Sequence, residues 1–367
     1  MTARPLAALL CLLGFPAAAL ADGSRIAPTD LPATDLASGE GAVLPSAAAG
    51  HVVFSRQVSG TDRYELVDWM AGRGLRTLPV GTRVIPFDAD LGRDSAGRAV
   101  LTYSTCTTDG RLGGVLPTLD FTKARGCRIR FVALTKDGIA GIPRTLKLRG
   151  SSNLSLTTPS MHGRSIAAVA QPARGSQNAR VLYWRTPDSR PERLRGGTKP
   201  TCTWSSCPVT PTSGVEALDL GGRYVAFLWR LTDPDIGVAP SQELRMSALR
   251  HGTGRQVLRA QGYTSGACGF RQPLSPAAGA DGRISFLLAQ SPCTALQTTL
   301  ASAVIGFNEF DGVRPKANLA YGAAWDGDTV YWLAGKPLEN TEENARNPIP
   351  CAHPAAACRL VVSRDVR

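Results

Sequence analysis

The sequence predicts an all-β protein: a six-bladed β-propeller of four-stranded blades whose ring is closed by an N-terminal strand. Three observations predict it. A short apolar run that follows a glycine or another turn residue recurs six times. Each run has a strand-like partner downstream and, in five cases, a shorter third segment. The last unit stops at Arg367, right after its third strand, and so lacks an outer one.

The runs are HVVFSRQ (51–57), RAVLTYS (98–104), RSIAAVAQ (164–171), RYVAFLWR (223–230), RISFLLAQ (283–290) and TVYWLAG (329–335). Their starts step by 47, 66, 59, 60 and 46 residues. Each is rich in Val, Ile, Phe and Tyr and too short for a good helix, so each reads as a buried strand. The partners are YELVDWMAG (64–72), CRIRFVALTKDG (127–138), ARVLYWRTPDS (179–189), ELRMSALRHGTG (243–254), LASAVIGFNEFDG (300–312) and CRLVVSRDVR (358–367). Several alternate polar and apolar residues, as a half-buried strand does. The first five are followed by LRTLPV, RTLKL, ERLRGG, RQVLRA and VRPKANL, the expected outer strands. Segments such as VLPSAAAG, VEALDLGG and YGAAWDGD precede the main runs as inner strands. A four-stranded sheet has two faces to bury, and arranging such sheets radially covers both.

The cadence of glycine, apolar strand, loop, strand, turn and short strand resembles the TolB-type (PD40, WD40-like) propeller repeat. That family's Ser-Pro-Asp-Gly turn survives here as fragments, in Ala280-Asp281-Gly282-Arg283 and Gly221-Gly222-Arg223. The resemblance implies a six-bladed fold and a binding or scaffolding role, and it implies no catalytic residues. The missing outer strand is expected from SRIAPTDLPATD (24–35), with Arg25 to Ala27 at its centre. The alternative for that segment is a disordered tail, since Pro and Asp are frequent in it.

Residues 1–21 read as a signal peptide. Arg4 supplies the positive start, Leu6 to Leu20 the apolar run, and Ala19-Leu20-Ala21 the small-x-small cleavage pattern. The chain then divides into 22–38, the N-terminal segment with its closing strand, and 39–367, the propeller. No later stretch is apolar enough for a membrane helix, so a secreted or periplasmic, extracytoplasmic protein is expected. Cys11 leaves with the leader. The other eight cysteines, an even count in an exported chain, read as disulfides. Zinc is the competing reading, but no CxxC occurs. The blade model places all eight on one rim and pairs them in order: Cys106 with Cys127, Cys202 with Cys207, Cys268 with Cys293, and Cys351 with Cys358. Cross-linked loops form either a preorganised recognition face or a protease-resistant one.

The net charge is +12 at pH 7, nearly all of it from scattered arginine. An anionic partner explains that balance, and so does a compositional bias towards Arg over Lys. No GxSxG elbow and no P-loop occurs. His51, His162, His251 and His353 are dispersed. Neither a cofactor nor a metal is expected, and no catalytic residue is assigned.

The candidate binding residues lie on the expected loop face. Trp204, in CTWSSC, reads as an indole presented on the rim or one folded back over a blade edge. Asp109, the pair Asp233 and Asp235, and the cluster Glu339, Glu342 and Glu343 can bind calcium or move protons, or are solvated turns. Phe270 and Arg271 complete the set. Asp88 and Asp90 read either as an inner strand lining the channel or as part of a turn, which Asp also favours. Trp69, Trp184, Trp229, Trp325 and Trp332 fall on strands and read as core. The expected role is an exported bacterial cell-envelope binding or scaffold protein, monomeric, whose partner is a protein or an anionic envelope polymer and not nucleic acid. The alternative is a propeller hydrolase or lyase acting on a glycan or lactone at the channel mouth.

Overall fold

The computed structural model describes residues 30–31, 34–39, 41–113, 118–121, 123–148, 154–172, 180–194, 214–231, 241–249, 255–260, 271–290, 297–304, 311–315, 319–335, 351 and 358–363. Among them every named element is a strand, and no helix is long and apolar enough to cross a membrane.

Two short strands come first, β1 (Asp30–Leu31) and β2 (Thr34–Ser38). The first sheet is β3 (Ala42–Ala48), β4 (His51–Gln57), β5 (Tyr64–Met70) and β6 (Gly74–Arg83). The second is β7 (Asp90–Arg93) and β8 (Ala99–Thr105), then, after a hairpin of β9 (Arg111–Gly113) and β10 (Thr118–Asp120), β11 (Arg128–Thr135) and β12 (Gly138–Thr145). The third is β13 (Leu154–His162), β14 (Ser165–Pro172), β15 (Arg180–Trp184) and β16 (Glu192–Arg193). The fourth is β17 (Gly214–Gly221), β18 (Tyr224–Leu231), β19 (Ser241–Ala248) and β20 (Arg255–Ala260). The fifth is β21 (Arg271–Ala278), β22 (Arg283–Gln290), β23 (Gln297–Val304) and β24 (Asp311–Pro315). The last is β25 (Leu319–Asp326), β26 (Thr329–Gly335) and β27 (Arg359–Ser363), with β2 as its outer strand.

The inner strands β3, β7, β13, β17, β21 and β25 each contact the next, and β25 returns to β3. The molecule is thus a β-propeller of small antiparallel sheets. Five sheets have four strands, as the repeat predicts. The sheet of β21 to β24 departs from it: β1 adds a fifth strand in parallel, with Asp30 opposite Arg314 and Leu31 opposite Pro315.

The apolar runs become the second strands β4, β8, β14, β18, β22 and β26, within a residue of the expected positions. They lie between the inner and third strands and are covered on both faces, which is why they read as unbroken apolar segments. The core is a series of wedges between sheets. Val53, Leu66 and Leu78 of the first sheet pack on Leu101, Tyr103 and Val132 of the second. Val169 and Val181 of the third pack on Val225, Phe227 and Trp229 of the fourth. Trp184, Trp229 and Trp332 are among the largest fully buried side chains, Trp69 is buried, and Trp325 is partly so.

Two local expectations are corrected. The outer strand of the second sheet is not RTLKL but Gly138–Thr145, which turns back on β11 directly after Lys136-Asp137. The closing strand is centred not on Arg25 to Ala27, which lie outside the described residues, but on Thr34–Ser38, antiparallel to β27 with Thr34 opposite Val362. The Gly39 N–H donates to Cys358 O at 2.8 Å, which anchors the C-terminal end of the segment beside the start of β27 and sets the register there.

Candidate functional site

Neighbouring inner strands do not form a ladder, so their edge N–H groups need acceptors from elsewhere. The next sheet back supplies one each time. Ser46 Oγ accepts the Leu91 N–H at 2.8 Å, and Asp90 Oδ2 accepts the Met161 N–H at 3.3 Å. Ser160 Oγ accepts the Leu220 N–H at 2.9 Å, and Asp219 Oδ2 accepts the Ala278 N–H at 2.6 Å. Ser275 Oγ accepts the Ala323 N–H at 3.3 Å, and Asp326 Oδ2 accepts the Gly50 N–H at 3.1 Å. The acceptors alternate serine and aspartate round the whole ring. Ser46 also donates to Asp90 Oδ1 at 2.8 Å, and Ser160 to Asp219 Oδ1 at 3.3 Å.

Backbone geometry builds this belt. The serine-bearing inner strands each carry a residue with positive φ just before a proline: Leu44 (54°), Thr158 (49°) and Ser275 (47°). Each lies in a bulge of β3, β13 or β21. A bulge adds one residue to its strand and re-aims the side chains that follow. Two glycines allow the strands to approach. A Cβ on Gly92 would lie 1.7 Å from Met161 O, and one on Gly221 would lie 1.7 Å from Ala278 O.

The belt encloses a channel of about 660 Å³, walled by residues of every inner strand. It reaches the end of the ring where inner strands turn into second strands. There Arg93 Nη2 meets Asp326 Oδ1 at 2.5 Å, and His162 stands beside Gly163, whose N–H donates to Arg93 O. Among the described residues seven carboxylates line the channel, against two arginines, Arg93 and Arg283. Asp88 and Asp90 are among them, as the first of their two sequence readings has it. Asp88 Oδ1 accepts from Ser104 Oγ at 2.7 Å and from Arg83 at 3.2 Å, while its Oδ2 accepts the Thr158 N–H at 2.7 Å. Burial pushes the Asp90 carboxyl up from its ordinary value. Burial, reinforced by the Asp90 charge, pushes Asp219 up to about 7. Burial and the charge of Arg93 hold His162 below the usual imidazole value.

The opposite end carries the crossings between second and third strands. Disulfides Cys106–Cys127 and Cys351–Cys358 close two of them, as the blade model pairs them. Cys202, Cys207, Cys268 and Cys293 lie outside the described residues, as do Trp204, Asp233, Asp235, Phe270, Glu339, Glu342 and Glu343. The backbone of Arg271 starts β21 opposite Gln290. Asp109 is held by Arg83, whose Nη2 reaches its Oδ1 at 2.7 Å. Arg83 is itself buried and stacks 5.3 Å above the Phe87 ring, so Asp109 ties a crossing loop to the first sheet.

Sequence reasoning found Asp88 and Asp90 but missed Ser46, Ser160, Asp219, Ser275 and Asp326. A signal for the serines existed in the Leu-Pro-Ser, Thr-Pro-Ser and Ser-Pro-Ala triplets of alternate inner strands.

Fold and channel together define a β-propeller with an acid-lined axis. No family model matches the chain, and no curated protein matches its sequence. Three solved structures that resemble it share 9–12% identity with it. An α-L-arabinanase of Penicillium chrysogenum aligns at TM-score 0.47 and 11% identity, over 92% of this chain and 99% of that one. A putative TolB from Agrobacterium tumefaciens aligns at TM-score 0.45 and 9% identity, over 89% and 90%. A prolyl endopeptidase aligns at TM-score 0.39 and 12% identity, and there the match spans 82% of this chain but 39% of that one.

Proposed function

We propose that the protein is an exported, TolB-like propeller of a bacterial cell envelope that binds its partner rather than transforming it. The observation that carries this reading is the use made of the channel acids. Asp88, Asp90, Asp219 and Asp326 spend oxygens on wall N–H groups, which makes them parts of the ring. Stapled crossings at Cys106–Cys127 and Cys351–Cys358 support a preorganised opposite face, where ordering loops on binding costs little. The partner of that face is a protein or an anionic envelope polymer, matched to the net charge of +12.

Retention of the purified protein on isolated envelope and wall-polymer fractions tests this. Retention that survives moderate salt supports a specific face. Loss of all retention at moderate salt reduces it to charge attraction and sinks the reading.

One observation favours the enzyme reading as the second. Asp219, pushed up to about 7 and close enough to Asp90 to feel its charge, is poised as a general acid or base. Turnover of a glycan or lactone that disappears in Asp219→Asn would establish it.

A further inference from the structure

We infer that the central channel binds a linear organic polycation, a di- or polyamine, whose ammonium groups serve as the counter-ions of its wall. The inference extends the binding-protein reading, and rests on it only in taking the channel as a ligand site.

The argument begins with unbalanced charge. Asp88 and Asp326 each have a guanidinium partner, Arg83 and Arg93. Asp90 and Asp219 have none among the described residues. Their hydrogen bonds come from serine hydroxyls and backbone N–H groups, which satisfy lone pairs but carry no net charge. Charges enclosed in a protein wall are ordinarily paired, or else neutralise by binding protons. Burial pushes both carboxyls towards the second outcome. A ligand cation supplies the first.

A second, independent feature points to an occupant. Thr158 lines the channel with 7% of its surface exposed, and its hydroxyl has no hydrogen-bond partner in the wall. The residue holds a strained backbone, a β-branched side chain at φ 49°.

Size and lining select the class of cation. A volume of about 660 Å³ suits an organic molecule rather than a bare ion. Among the described residues no group of three or more His, Cys, Asp or Glu side chains is placed to hold a metal. Ala47, Leu91, Leu218, Tyr321 and Trp325 offer apolar and aromatic wall for methylenes and ammonium faces. The acids stand at more than one level of the channel: Asp90 and Asp219 hold equivalent places in the belt, and Asp281 lies at a turn of the mouth. Asp88 comes two residues before Asp90, which begins the inner strand β7. Asp326 ends another, at the mouth. That arrangement fits charges separated by short methylene spacers.

Isothermal titration of spermidine into the signal-free chain tests the inference. Saturable one-site binding is expected, about tenfold weaker at pH 5.5 than at pH 8, because the carboxyls facing it, Asp90 and Asp219, must be ionised. Proton release into the buffer accompanies it. Asp219→Asn should weaken binding about tenfold, and Asp281→Asn, at the exposed turn lining the mouth, several-fold. Glu65→Gln, outside the channel, should change nothing. Because Asp219→Asn perturbs a buried site, Asp281→Asn keeps the test sound if that variant folds poorly. Absence of saturable heat overturns the inference, and so does binding that is unchanged in Asp281→Asn and between the two pH values. If spermidine fails while envelope retention persists, only the channel inference falls. If spermidine binds without envelope retention, only the envelope reading falls.

Discussion

Ser160 and Asp219, from neighbouring sheets, share a hydrogen bond of 3.3 Å, and the same serine oxygen takes the Leu220 N–H at 2.9 Å. One side chain thus joins the inner strand of the third sheet to both the backbone and the acid of the fourth. Removing a partner so that buried groups are left unsatisfied costs about 1–3 kcal/mol. Ser160→Ala should lose that much in urea unfolding, and Ser160→Thr less, since it keeps the hydroxyl. Equal losses in both variants would mean that packing, not the hydrogen bond, matters at this position.

Asp219 should make stability depend on pH. Its folded value of about 7 lies well above the ordinary carboxyl value of 3.8. A carboxyl raised on folding favours the native state most below the unfolded value, and that advantage is lost as pH rises through the folded one. The stability of the parent relative to Asp219→Asn should therefore fall between pH 4 and 7 and level off above. Melting temperatures of both proteins across that range provide the check, and parallel curves would contradict it.

Gly92 lies where a Cβ would sit 1.7 Å from Met161 O, a backbone atom that cannot rotate away. Gly92→Ala must push β7 from β13, at a cost of about 3 kcal/mol. Gly50, at the turn after β3, meets nothing within 4 Å of a Cβ, so Gly50→Ala answers only for its φ of 78°. A larger drop in melting temperature for Gly92→Ala than for Gly50→Ala is the expected order.

The Cys106–Cys127 bridge closes a crossing with a sequence separation of 21. Constraint of a loop that long in the unfolded chain corresponds to about 3 kcal/mol. The double variant Cys106→Ser, Cys127→Ser should unfold at correspondingly lower urea, and the parent should approach it when reduced.

How legible these features were depended on whether local sequence or a neighbour fixes them. The second strands were legible because burial on both faces demands unbroken apolar runs, as in Tyr224–Leu231. The outer strand Gly138–Thr145 was not. Its Gly141 and Pro143 discourage a strand reading, yet an edge strand tolerates them. The acceptor belt was hardest to see. Nothing in the sequence around Asp219 or Asp326 says that its carboxylate meets an N–H from another sheet, since that depends on how closely sheets pack. Asp88 and Asp90 were visible because they lie just ahead of the apolar run 98–104, where each unit needs an inner strand.

The N-terminal clasp carries the last prediction. β2 covers the outer edge of β27, Leu36 and Ala37 pack on the core between the last sheet and its neighbours, and β1 lies along β24 of the sheet before. One short segment therefore bridges two sheets as well as closing the ring. Its strand, TDLAS, has little intrinsic β preference, so its stability comes from the partner edge and from the Gly39–Cys358 hydrogen bond. A chain starting at Gly39 should expose the N–H and C=O groups of β27, lower the melting temperature by several degrees, and self-associate through the bare edge. Thermal melts and sizing at several concentrations would show both effects. A truncated chain that stays monomeric and melts with the parent would mean that the ring holds without its clasp.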